Sequence, residues 1–152
     1  MKIALLYGTE SGNTEMLCDD IAEALDAEHQ CEIRDLSTVS PTDFDADTFY
    51  VFLCSTFGNG DLPSNAEMFV DNLETEAPSL GHVTFCMFGL GDSVFADTFA
   101  HGSETLLNVL LNHGAVQIGE RGIHDASTGE MPEDIAIPWV KDRLAEFLDR
   151  AA

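Results

Sequence analysis

The stretch YGTESGNTE at residues 7–15 combines hydroxyl side chains and glycines in a pattern suited to holding a phosphate group. Thr9, Ser11 and Thr14 offer hydroxyl donors, and Gly12 lets the backbone curl. A helix predicted to start near Thr14 would point its unpaired N–H groups and the positive end of its dipole into the same turn. Successive backbone N–H groups of this kind can bind a phosphate without a lysine or arginine.

The absence of lysine separates this turn from the common nucleotide-binding loops. The G-x-x-x-x-G-K-[ST] loop of nucleotide triphosphatases needs its lysine for the outer phosphates, and the dinucleotide fingerprint G-x-G-x-x-G is missing after the first strand. A single terminal phosphate ester therefore suits the turn better than a diphosphate. The same residues could also do no more than cap a helix, with Ser11 or Thr14 as the capping residue. The turn alone leaves both interpretations open.

Two phenylalanines lie in later loops that are rich in glycine. Phe57 belongs to the stretch TFGNGDLPSN, and Phe95 follows the stretch GLGDSV. Two aromatic rings on neighbouring loops can sandwich a planar heterocycle, with one ring on each face. Either ring could instead be buried in the core, where phenylalanine is often found. Together with the phosphate turn, the pair favours the sandwich.

Alternating strands and helices are predicted to position these loops. KIALLY, TFYVFLCS and HVTFCMFG are apolar runs typical of strands buried on both faces, QCEIRDL is a weaker second strand, and AVQIGERGI is predicted as the fifth. Between them, apolar residues recur at helical spacing, and one helix is expected to stop at Gly114. The last helix is predicted to present one apolar face, formed by Val140, Leu144, Phe147 and Leu148.

This pattern predicts an α/β fold, a doubly wound five-stranded parallel sheet of order 2-1-3-4-5, in a single domain over residues 1–152. In such sheets a ligand binds outside the carboxyl ends of the strands, where the winding direction switches between strands 1 and 3. Topology therefore directs attention to the loops at residues 8–14, 56–65 and 89–99. These loops also contain the phosphate turn and both phenylalanines.

Three loop sequences, YGTESGNTE, CSTFGNGDLPSNAEMF and FGLGDSVFADTF, resemble the flavin-contacting loops of flavodoxins. STFGNGDLPSN and FGLGDSVF are most similar to the FMN domains of diflavin reductases and to the small flavodoxins of the MioC type. The resemblance implies a non-covalent FMN whose phosphate lies at the first turn and whose ring lies between Phe57 and Phe95. The cofactor-binding residues it implies are Thr9, Glu10, Ser11, Gly12, Asn13, Thr14, Ser55, Thr56, Phe57, Gly58, Asn59, Gly60, Gly89, Leu90, Gly91, Asp92, Phe95 and Phe99.

The large excess of acidic residues indicates which kinds of macromolecule the protein could bind. Twenty-eight acidic residues face six basic ones, the formal net charge is −22, and no lysine or arginine occurs from residue 35 to residue 120. Nucleic acids and anionic membranes are therefore poor partners, whereas a basic protein surface is a suitable one. The acidity could equally serve solubility or a high-salt cytoplasm. Acidic residues expected to meet a basic partner are Asp61, Glu67, Asp92 and Asp97.

The predicted function is that of a low-potential one-electron carrier with no catalytic residue of its own. It would take electrons from a basic NAD(P)H-dependent flavoprotein reductase and pass them, in transient contacts, to an acceptor protein that the sequence does not identify. A dedicated FMN subunit of one enzyme and a small FMN-dependent reductase are the alternatives. We expect a cytoplasmic monomer without metal, in which Cys18, Cys31, Cys54 and Cys86 are reduced core residues.

Overall fold

Strands and helices alternate along nearly the whole chain in the computed structural model, which describes residues 1–10, 12–56, 60–94 and 100–151. The elements are β1 (Lys2–Gly8), α1 (Asn13–Leu25), β2 (Gln30–Asp35), β3 (Thr48–Ser55), α2 (Ser64–Glu76), β4 (Thr84–Gly91), α3 (His101–Asn112), β5 (Val116–Gln117), β6 (Gly122–Asp125) and α4 (Pro132–Ala151). Short 3-10 turns follow β2 and β6, at Leu36–Thr38 and Ala126–Thr128.

The strands form one parallel sheet in the order β2-β1-β3-β4-β5, which confirms the predicted doubly wound order 2-1-3-4-5. The prediction of a single fifth strand is wrong in detail, because β5 and β6 both pair with β4 and the described residues form six strands. The N–H of Ile118 still donates to the carbonyl of Phe85 at 2.8 Å. The chain then leaves the ladder at Gly119, whose φ is +68°, and returns at Gly122.

Two apolar layers cover the two faces of the sheet. Helices α2 and α3 pack on one face, where the fully buried rings of Phe52 and Phe85 meet edge to face with centroids 5.7 Å apart. Helices α1 and α4 pack on the other, with Phe88 and Ile21 in the core between them. Because neighbouring strand residues point to opposite faces and both faces are covered, the central strands are apolar at nearly every position.

Helix boundaries and faces follow the predicted spacing with one exception. Helix α3 ends just before Gly114, whose φ is +93°, as predicted. In α4, Val140 and Leu144 are buried and the ring of Phe147 stacks on Phe49, but Leu148 is 42% exposed. The prediction for Leu148 is wrong because, at 3.6 residues per turn, it lies about 80° around the helix from Val140. No helix in the described part of the chain is long and apolar enough to cross a membrane.

The four cysteines are free thiols. Cys18, Cys54 and Cys86 are buried, as predicted, whereas Cys31 is only half-buried. Burial raises the pKa of the Cys54 thiol to about 12 and raises the pKa of Cys86 as well. Cys54, which precedes the last residue of β3, is therefore protonated and unreactive at neutral pH.

Candidate cofactor site

The carboxyl ends of β1, β3 and β4 lie level with one another at one edge of the sheet. Gly8 is paired with Cys54, and Cys54 in turn with Gly89. The chain passes from β1 to β2 on one side and reaches β3 on the other, so the winding switches between β1 and β3. Three of the predicted loops therefore begin at the same place, which is where doubly wound folds bind their ligands.

The turn after β1 has the geometry of an anion-binding helix start. Gly12 is the N-cap of α1, has a left-handed φ of +81°, and has no side chain with which to cap the helix. Asn13 and Thr14 follow as the first helical residues, and Thr14 is 1% exposed. Because N–H groups of a first helical turn have no intrahelical acceptor, they suit a phosphate. Thr14 is inside the helix, so the interpretation of Thr14 as its cap is wrong. Ser11 lies outside the described residues.

Asn65, which the sequence did not single out, joins this turn to α2. Its Oδ1 atom accepts from the N–H of Thr9 at 3.0 Å and from the N–H of Ala66 at 3.0 Å. The Glu10 carboxylate accepts from the N–H of Ser64. Thr9 and Glu10, both predicted to bind the cofactor, thus also fix the turn against the start of α2. The only sequence signal for Asn65 was its place at the end of the second flavodoxin-like motif.

Hydrogen bonds join the end of β3 to the end of β1 and to the start of α3. The Ser55 hydroxyl donates to the carbonyl of Gly8 at 3.4 Å, and the Thr56 hydroxyl accepts from the N–H of Gly102 at 3.0 Å. A Cβ atom at Gly102 would overlap the Ser55 carbonyl oxygen and lie 3.1 Å from the Thr56 Cα. Gly60, further along this loop, has a left-handed φ of +95°. The predicted residues Phe57, Gly58 and Asn59 lie outside the described residues.

The end of β4 packs closely on α3. A Cβ atom at Gly89 would overlap the Ser103 hydroxyl and lie 2.8 Å from the Ser103 Cβ. Leu90 and Gly91, the next two predicted residues, pair with β6. Asp92 accepts from the N–H of Val94 at 2.9 Å, which closes a tight turn. The predicted residues Phe95 and Phe99 lie outside the described residues, so the ring sandwich stays a prediction.

Two charged residues at the ends of β6 also contact the carboxyl edge of the sheet, and neither was predicted from the sequence. Asp125 accepts from the N–H of Ser93 at 3.0 Å and from the N–H of Ser127 at 2.9 Å. Hydrogen bonds from Ser93, then from Ser127, hold the pKa of the Asp125 carboxyl well below its ordinary value. This carboxylate therefore stabilises the fold above the ordinary pKa of about 3.9, and loses that effect only as the pH falls through the lowered value. The second residue is Arg121, which contacts the start of α3.

A cavity of about 430 Å³ opens beside the phosphate turn, between the turn, α2 and α3. Its lining residues are Glu10, Gly60, Asp61, Leu62, Ser64, Glu67 and Thr105. None of these described residues is basic, and three carry a carboxylate. Asp61 and Glu67 are exposed and Asp92 is half-buried, whereas Asp97 lies outside the described residues. This side of the site is therefore negative, as the partner prediction requires.

The doubly wound sheet is that of a flavodoxin-like fold, and comparisons with known proteins identify the family. The flavodoxin family model matches residues 5–139, and the chain belongs to the flavodoxin family. Protein MioC of Escherichia coli O157:H7 is 31% identical over 138 residues, which cover 91% of this chain and 92% of MioC. The structure of oxidised flavodoxin 2 from Bacillus cereus superposes with a TM-score of 0.81 at 23% identity, covering 96% of this chain and 99% of that one.

A larger relative contains a similar segment. The NADPH-dependent diflavin oxidoreductase 1 of Emericella nidulans is 32% identical over 150 residues, which cover 96% of this chain. The chain spans 23% of the length of that protein. Flavodoxins bind FMN, so the predicted cofactor and class of protein are confirmed. The left-handed Gly12 and the open first turn of α1 fit the phosphate of FMN.

Proposed function

We propose that this protein is a low-potential one-electron carrier that binds FMN at the carboxyl edge of its sheet. The observation that carries the proposal is the level register of β1, β3 and β4, which brings the phosphate turn and the glycine-rich loops to one place. FMN, when bound, accepts and releases electrons one at a time. A single-domain monomer in the cytoplasm is part of the same proposal.

The residues of the first turn would hold the phosphate. Gly12 shapes the turn, and the N–H groups of Asn13 and Thr14 supply donors that need no basic side chain. Hydrogen bonds to Asn65 and Ser64 keep the turn in place before the cofactor arrives. Such preorganisation reduces the entropy lost on binding. The loops that start at Ser55 and Gly89 would cover the ring and exclude water from it.

The acidic residues would set a low potential and guide the partner. One carboxylate about 8 Å from a flavin that gains negative charge adds ~2 kcal/mol of repulsion at an effective dielectric constant of 20, which is ~90 mV for a one-electron couple. Asp61 and Glu67 are exposed on the rim of the cavity beside the phosphate turn. The same residues could form transient contacts with the lysines and arginines of a basic reductase. The name of the Emericella nidulans relative, an NADPH-dependent diflavin oxidoreductase, supports a flavoprotein donor.

Stopped-flow reduction of the FMN-loaded protein tests this function. NADPH alone should reduce the bound FMN negligibly, whereas NADPH with a basic NADPH-dependent flavoprotein reductase should reduce it within seconds. Raising the salt from about 50 mM to about 500 mM should slow the transfer roughly ten-fold or more, because screening weakens attraction between the two surfaces. Rapid turnover of NADPH by the protein alone would instead favour a small FMN-dependent reductase. A rate indifferent to salt would contradict the electrostatic docking.

A further inference from the structure

Two charged residues at the two ends of β6 contact Ser93 and Ala100, which lie in the connection from β4 to α3 on either side of residues 95–99. Asp125, the last residue of β6, contacts Ser93. Arg121, which directly precedes β6, contacts Ala100. Strand β6 itself pairs with β4, from Phe88 to Gly91. The last residue of β6 thus contacts Ser93, and the residue before β6 contacts Ala100.

Asp125 holds Ser93 through the main chain. Its Oδ1 atom accepts from the N–H of Ser93 at 3.0 Å, and the hydroxyls of Ser93 and Ser127 lie 2.7 Å apart. Oδ1 also accepts from the N–H and the hydroxyl of Ser127, which keeps the carboxylate oriented. Hydrogen bonds to an ionised carboxylate are stronger than those between neutral groups.

Arg121 holds Ala100, also through the main chain. Its Nη1 atom donates to the carbonyl of Ala100 at 2.6 Å and to the hydroxyl of Ser103 at 2.7 Å. Ala100 has a left-handed φ of +55°, a conformation that is costly for a residue with a side chain. A cation near the start of a helix is not favoured by the helix dipole. The dipole of α3 therefore does not explain the position of the Arg121 guanidinium. Its hydrogen bond to the Ala100 carbonyl does.

We propose that Arg121 and Asp125 are positioning residues that hold Ser93 and Ala100, the described chain on either side of residues 95–99, where FMN binding requires them. The inference rests on the proposed function, because residues 95–99 include Phe95 and Phe99, which are predicted to contact the flavin. Both contacts reach backbone groups, so they fix the path of the chain at Ser93 and Ala100. The role of each charged residue is to place the loop, not to touch the cofactor.

The chain supplies a matched control for each residue. Asp35, at the end of β2, accepts from the N–H and the hydroxyl of Ser37, both at 2.8 Å, in a D-x-S-T turn like that of Asp125. Within the described ranges it makes no contact to residues 93–100. Arg143 pairs with Glu146 at 2.7 Å on α4, and its loss removes the same charge as the loss of Arg121. Neither control belongs to the proposed binding site.

The experiment compares Asp125→Ala, Asp125→Asn and Arg121→Gln with the controls Asp35→Ala and Arg143→Gln. Deuterium exchange of the amides at residues 93–100 is measured in the FMN-free protein, and the Kd for FMN is measured by fluorescence quenching. Asp125→Ala should speed exchange at Ser93, Arg121→Gln should speed it at Ala100, and each should raise the Kd about ten-fold, which is the order expected for losing one hydrogen bond to a charged group. Asp125→Asn keeps the Oδ1 acceptor, so its amide exchange rates and its Kd for FMN should both lie close to those of the parent protein.

Unchanged exchange at Ser93 in Asp125→Ala and at Ala100 in Arg121→Gln would overturn the proposal, and so would equal effects from the two controls. The controls are expected to leave exchange and Kd within about two-fold of the parent protein. Failure of the parent protein to bind FMN would sink the proposed function. The exchange measurement would still decide whether the two residues hold Ser93 and Ala100, so the two failures are distinguishable.

Discussion

Gly89→Ala is expected to lower the free energy of unfolding by roughly 2 to 3 kcal/mol, the upper range for overpacking a filled interior. The methyl group would overlap the Ser103 hydroxyl, and the Ser103 Cβ lies only 2.8 Å from the position of the new atom. Ser103 is fully buried in the first turn of α3, so it has no space into which to move. Urea unfolding followed by far-UV circular dichroism measures the loss.

A second substitution tests whether this lack of space is the cause. Ser103→Gly removes both atoms that the new methyl would meet, so the double variant Gly89→Ala with Ser103→Gly should be more stable than Gly89→Ala alone. Ser103→Gly by itself should be destabilising, because it removes the hydroxyl that donates to the Ala100 carbonyl at 3.0 Å. A double variant no more stable than Gly89→Ala would contradict the packing explanation.

Gly102→Ala is expected to cost a similar ~2 to 3 kcal/mol and to weaken FMN binding about ten-fold. The obstacle here is backbone: the Ser55 carbonyl oxygen overlaps the new methyl, and the Thr56 Cα lies 3.1 Å from it. Helix α3 would have to move away from the end of β3, where one of the predicted flavin loops begins. Thermal unfolding and FMN titration of the same preparations measure both effects.

The direction of the stability change in Gly102→Ala is informative, because helix propensity alone predicts that alanine stabilises this position. At an unobstructed helical position alanine is favoured over glycine by about 1 kcal/mol. Gly81→Ala is the control, since the nearest atom to its new methyl is the Ser79 hydroxyl at 3.8 Å. We expect that control to change stability by no more than about 0.5 kcal/mol. A Gly102→Ala variant more stable than the parent protein would show that α3 and the end of β3 are not in close contact at this position.

The sheet order could be predicted from the sequence because its signals are local. TFYVFLCS is apolar at nearly every position, a pattern typical of a strand covered on both faces, and β3 is indeed buried from Thr48 to Cys54. The break between β5 and β6 was missed because AVQIGERGI looks continuous. The interruption begins at Gly119, which has a left-handed φ of +68°.

The contacts that brace the site could not be predicted, because they join distant parts of the chain. Thr9 and Asn65 are 56 residues apart, Thr56 and Gly102 are 46 apart, and Ser93 and Asp125 are 32 apart. The loop residues were recognised by their types, which suit phosphate and flavin, but the residues that hold the loops are ordinary polar side chains. Their role arises only when the parallel sheet brings the strand ends together.

Titration of the FMN-free protein with FMN and with riboflavin tests the central claim most directly. That claim is that the left-handed turn at Gly12 and the first N–H groups of α1 hold a phosphate without a basic side chain. Riboflavin has the same ring and lacks the phosphate. We predict that FMN binds at least about 100-fold more tightly, because two or more hydrogen bonds to a charged group are lost with riboflavin. Equal affinities for the two flavins would contradict the claim.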